Sequence, residues 1–75
     1  MTTEDTNIEK GFVSAFDSFK GFGFIRREKG KDVFFFYDEI EEKDRDLSIG
    51  DTVAFAVVQK AKGPRAYQIK KLNSN

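Results

Sequence analysis

Apolar residues in this chain gather into short clusters separated by polar stretches that carry glycine, and within the clusters they tend to alternate with polar or small residues. A period of two is the signature of strands, because successive side chains point to opposite faces of a sheet. The pattern predicts a first strand over residues 8–16, with a bend at Gly11, and a second over 22–27. Between them Asp17-Ser18-Phe19-Lys20-Gly21 has turn chemistry. Glu28-Lys29-Gly30-Lys31 predicts a tight polar turn, and Val33 to Tyr37 a third strand. Residues 38–50 read as a long charged connection with room for a short helical turn, anchored in the core by Ile40 and Leu47. A β-rich run over 52–59 predicts a fourth strand. Gly63 and Pro64 then break the ladder in a loop over 60–64. The fifth strand, over 65–72, sets Arg65, Tyr67, Ile69 and Lys71 against Ala66, Gln68, Lys70 and Leu72.

Five short strands with no clear helix predict an all-β domain, and a small five-stranded antiparallel barrel is the closed form that protects sheet edges at this size. The expected domain spans 8–72, between a flexible N-terminal tail over 1–7 and a C-terminal tail over 73–75. Val13, Ile25, Val33, Phe35, Val53, Val57 and Ile69 are the expected core, with Phe16 and Phe55 as further candidates.

The segment from Lys20 to Tyr37 changes the picture from architecture to chemistry. It holds six aromatic residues, Phe22, Phe24, Phe34, Phe35, Phe36 and Tyr37, interleaved with glycines and basic residues. Alternation puts Phe22 and Phe24 on one face of their strand, and Phe34 and Phe36 on one face of theirs. If the two strands pair, four phenyl rings line one surface. A chain of 75 residues cannot cover both faces of its sheet. An exposed row of flat rings beside Lys and Arg suits stacking with unpaired nucleobases.

Charge is balanced overall, with thirteen basic and thirteen acidic residues, but it is sorted in blocks. Lys20, Arg26, Arg27, Lys29 and Lys31 fall in one basic block broken only by Glu28, and Lys60, Lys62, Arg65, Lys70 and Lys71 in another with no acid. Residues 38–51 between them carry seven acids against Lys43 and Arg45. Such sorting can give a neutral molecule one positive face, the alternative being plain solvated loops. The acidic stretch reads as a solubilising loop that also repels nucleic acid from the wrong face. There is no Cys and no His, which removes disulfides, the usual zinc sites and the commonest nucleophile and base. Asp44, Asp46 and Ser48 fail as a calcium loop, because Ile49 and Phe55 stand where glycine and a bidentate acid are required. Gly21-Phe22-Gly23 fails as a dinucleotide fingerprint, because Arg26 holds the third glycine position. No metal, cofactor, small-molecule substrate or enzymatic activity is expected. The polar, acidic N-terminus lacks a signal-peptide pattern and no apolar run has the length of a membrane span, so a soluble cytoplasmic protein is expected.

The chain resembles the cold-shock domain, a five-stranded barrel of the OB-fold type, over about residues 9–72. The likeness is carried by Lys10-Gly11, Val13 and Phe16, then by the run Lys20-Gly21-Phe22-Gly23-Phe24-Ile25, similar to the family's first ribonucleoprotein motif. Asp32-Val33-Phe34 follows, with Val33 to Tyr37 similar to the second motif; Ile40, Gly50, Val53, Phe55, Gly63-Pro64 and Lys71-Leu72 complete it. The resemblance implies low-specificity binding of single-stranded RNA or DNA and a role as an RNA chaperone or nucleic-acid-binding regulator. It makes Phe22, Phe24 and Phe34 stacking positions, puts Phe36 where a histidine is usual and Tyr37 where a phenylalanine is usual, and makes Lys20 and Lys62 basic contacts. Ala15 stands where a stacking tryptophan is common, Ser14 where a basic residue is common, and Asp17 where an asparagine is usual. Phe19 falls in a turn that is usually polar, and either supplies a displaced platform or packs over the barrel mouth. The competing reading is a protein-interaction barrel, in which the ring face docks a partner or a second copy. A monomer is expected in the first case and a homodimer is open in the second.

Overall fold

The structure, a computed structural model, describes residues 7–72. They form β1 (Asn7–Asp17), β2 (Phe22–Arg27), β3 (Val33–Phe36), β4 (Thr52–Lys60) and β5 (Gly63–Lys71), closed into a barrel in the order β1-β2-β3-β5-β4. Asn7 already pairs with Val57, so β1 begins one residue inside the expected tail; the rest of both expected tails lies outside the described residues. The barrel is not wholly antiparallel, as the sequence pattern suggested. An odd number of strands cannot close with every neighbour reversed, and here the parallel pairing falls between β3 and β5, at Phe34 and Arg65.

Inside the barrel, Val13, Ile25, Val33, Phe35, Val53, Phe55 and Ile69 are buried, as expected. Ile40 and Leu47 join them from the long connection, and Ala66 from β5. Val57 and Phe16 are only partly buried and pack against this cluster. The connection holds two single 3-10 turns, Tyr37–Glu39 and Glu42–Asp44. It is fastened to the end of β5: the Glu41 amide donates to the Ile69 carbonyl at 2.8 Å, and the Lys71 amide donates to the Asp44 carboxylate at 3.0 Å. Lys71 Nζ lies 3.5 Å from Asp46 and 3.6 Å from Asp51. Desolvation alone would lower the Lys71 pKa, but the two carboxylates outweigh it and hold the group above its ordinary value. Lys71 therefore serves the acidic loop and is not a free cation.

Two one-residue bulges decide which side chains face out. In β1, Val13 pairs with Ile25 but Ala15 pairs with Phe24, which leaves Ser14 as the extra residue. Its hydroxyl donates to the Asp32 carboxylate at 3.3 Å. In β5, Lys70 pairs with Ala54 and Tyr67 with Ala56, so β5 carries one more residue than β4 over that span. Gln68 takes up the excess at φ 54, the one positive φ outside glycine among the described residues. The strict alternation expected for β5 is corrected here: Ala66 and Ile69 both face the core, and Arg65 and Tyr67 are released from Ile69's side. The expected loop over 60–64 is corrected too. Lys60 pairs with Gly63 and Gln59 with Pro64, leaving a two-residue turn at Ala61 and Lys62. Pro64 is tolerated because it sits at the start of β5, before β3 comes alongside at Arg65.

Candidate functional site

The β2–β3 register is Phe22 with Phe36, Gly23 with Phe35, Phe24 with Phe34 and Ile25 with Val33. Paired residues share a face, so Ile25, Val33 and Phe35 fill the barrel while Phe22, Phe24, Phe34 and Phe36 line its outside. The sequence makes this possible at Gly23. A Cβ there would collide with the Ala15 carbonyl oxygen and come within 2.8 Å of the Phe35 ring, so β1, β2 and the core ring approach each other only over a glycine.

Phe34 is the hub of the outer row. Its ring centroid is 5.7 Å from Phe22, 5.6 Å from Phe24 and 4.8 Å from Phe36, the last two edge-to-face. These are ordinary aromatic geometries that hold each ring in place. Phe24 is 37% exposed and Phe36 41%, with Phe22 and Phe34 half-buried between them. An open groove of about 700 Å³ runs from Phe24, Phe34 and Phe36 to the β4–β5 turn, where Lys60, Lys62 and Arg65 border it.

Arg65 was not singled out from the sequence. Its guanidinium carbon lies 4.4 Å from the Phe36 ring centroid and 5.0 Å from that of Tyr67. Lys60 Nζ stands 5.7 Å from the same tyrosine ring. The signal that could have found Arg65 is weak: a cation next to the Gly-Pro pair, on a strand whose facing cannot be read without the bulge.

Of the other expected residues, Lys62 lies in the groove wall, as the resemblance implies. Lys20 sits in the exposed β1–β2 turn, its amide donating to Asp17 Oδ1 at 3.0 Å, away from the groove lining. Tyr37 is not in the row. It follows Phe36 directly, so its side chain leaves on the other side, and β3 ends before it. Its amide donates to the Gly21 carbonyl at 2.8 Å, and its ring lies parallel to Phe16 at 6.3 Å with Arg45 5.2 Å from its centroid. The half-buried Tyr37 ring thus packs beside Phe16 and Arg45, separate from the four-ring row. Phe19 is 96% exposed and makes no ring pair among the described residues, so it does not pack over the barrel mouth and its ring stands apart from the row. The hairpin cations are partly committed: Arg26 pairs with Asp32 at 2.9 Å, and Arg27 with Glu9 at 3.3 Å. No helix among the described residues is long and apolar enough to cross a membrane.

Comparison with known proteins bears on this surface. The family profile described as the 'Cold-shock' DNA-binding domain matches residues 9–72. The chain is 45% identical over 67 residues to the retron Se72 cold shock-like protein of Salmonella heidelberg, a match covering 87% of this chain and 100% of that one. It is 42% identical over 65 residues to the cold shock protein CspC of Bacillus subtilis, covering 85% of this chain and 98% of that one. Among solved structures, drosophila Unr CSD456 superposes with a TM-score of 0.77 at 31% identity, over 92% of this chain and 28% of that longer one.

Proposed function

The chain belongs to the cold-shock domain family, whose members bind nucleic acid, and from that premise we propose that its phenyl row binds unpaired RNA or DNA by base stacking. The observation that supports this best is the outward placement of Phe22, Phe24, Phe34 and Phe36 as one contiguous surface. A ring of this kind offers its face to any base, which gives affinity with little sequence preference. Lys62 at the groove wall, with Lys20 at the far turn, would track the backbone phosphates of a bound strand. Capture of open strands shifts weak hairpins toward the unpaired form by mass action, with no energy source. That is the chemistry of an RNA chaperone or a nucleic-acid-binding regulator, working as a monomer in the cytoplasm without a catalytic step.

The test is a titration against a short pyrimidine-rich single strand and its duplex at several salt concentrations. The single strand is expected to bind more tightly, because a base stacked in a duplex has no free face for a phenyl ring. With about three or four phosphates engaged, log affinity should fall against log salt with a slope of about −2 to −3. Equal affinity for duplex would remove the stacking mechanism. A slope near zero would instead favour docking of a protein through the apolar rings.

A further inference from the structure

Arg65 is the part of this surface with unspent hydrogen-bonding capacity. Its Nε is buried without a hydrogen-bond partner, and no described residue accepts a hydrogen bond from its guanidinium or pairs with it as a carboxylate. Donors of this kind are normally satisfied in folded proteins. What holds the group is aromatic: it lies over Phe36 and Tyr67, on the strand position paired with Phe34, in the wall of the groove. Two rings therefore flank a fork that carries five N–H donors and no acceptor.

From this geometry, and resting on the single-strand reading above, we infer that Arg65 reads the edge of the base stacked beside it and selects guanine over adenine. A base lying on Phe34 or Phe24 brings its edge level with Arg65, while the sugar and phosphates of a stacked strand run outside the rings. The terminal nitrogens of Arg65 then meet the base and not the backbone. A donor-only fork is matched by two adjacent acceptors, and guanine presents O6 and N7 as such a pair. Adenine presents N7 beside an amino group, so one donor faces another. A base stacked on the row would cover this part of the open groove, which strengthens the matched bonds and raises the cost of the mismatch. Arg65 thus adds a preference at one base to a surface that otherwise ignores sequence.

The probe is a fluorescein-labelled oligothymidylate of about seven nucleotides, a length within the site sizes of such barrels. It carries one central dG in one version and one central dA in the other. The unaltered protein is expected to prefer dG by about 5- to 100-fold. Arg65→Lys keeps the charge but not the fork and is expected to lose most of that preference. Arg65→Gln is expected to abolish it. The inference is overturned if the unaltered protein does not distinguish the two strands, or if the preference survives both substitutions. It is also overturned if both variants bind every strand equally more weakly with a salt slope reduced by about one, which is the signature of a phosphate contact. Failure of the single-strand reading looks different: the unaltered protein then binds neither oligonucleotide.

Discussion

Phe35→Ala is expected to destabilise the domain by about 3 to 5 kcal/mol, whereas Phe34→Ala, one residue earlier, is expected to leave it folded and to weaken single-strand binding by about 1 to 3 kcal/mol. The two rings are adjacent in β3 and face opposite ways. Phe35 is 0% exposed, packs 5.7 Å from Phe16 and sits over Gly23, so its removal opens a cavity that this glycine cannot fill. A domain of this size has little stability to lose, of the order of 5 kcal/mol, so the variant is expected to be largely unfolded at physiological temperature. Phe34 makes its ring contacts on the outside, with Phe22, Phe24 and Phe36, and its truncation opens no enclosed cavity, so it costs the fold less than loss of the fully buried Phe35 ring. Urea denaturation and strand titration of both variants separate the effects. If Phe34→Ala unfolds the protein and Phe35→Ala does not, the inner and outer faces are assigned the wrong way round.

That face assignment was legible in the sequence because β2 and β3 alternate cleanly and carry no bulge. A period of two needs only the chain order of Phe22, Gly23, Phe24 and Ile25 to say which residues travel together. It fails where a strand gains a residue. Counting in twos from Val13 puts Ala15 in the core, and counting back from Ile69 puts Arg65 there; both are turned outward by a neighbouring bulge, at Ser14 and at Gln68. Neither Ser nor Gln marks a bulge by its own chemistry, so Arg65 escaped notice. Ala15 was placed correctly only through the family resemblance. Tyr37 falls just outside its expected strand for a different reason: the aromatic run continues past the end of β3, and strand pairing, not side-chain type, sets where that end falls. The parallel closure of β3 on β5 joins strands distant in sequence, and no local pattern records it.

Ala15→Trp is expected to tighten single-strand binding by up to about 1 to 3 kcal/mol. Ala15 is exposed on the outer face, paired with Phe24, in a shallow depression of about 320 Å³ that it shares with Phe22, Phe24 and Ile49. An indole there extends the ring row onto β1 and supplies a platform where the methyl group offers almost none. The space is free, because Phe19 projects into solvent and does not fold back over β1. Stability should change little, since the site is already at the surface. The opposing influence is Asp17, which pairs with Phe22 on the same face and places an anion where a phosphate of the strand would pass. Its carboxylate accepts the Lys20 amide at 3.0 Å, which fixes the charge in position without cancelling it. Ala15→Trp combined with Asp17→Asn keeps that acceptor, removes the charge and isolates the repulsion. If the double variant binds more tightly and the single one does not, Asp17 guards this end of the surface. The chain has no other tryptophan, so quenching of the new indole by a bound base reports the contact directly. If neither variant gains affinity and the indole emission is unchanged by saturating strand, the ligand path bypasses β1 and is confined to β2, β3 and the Arg65 groove.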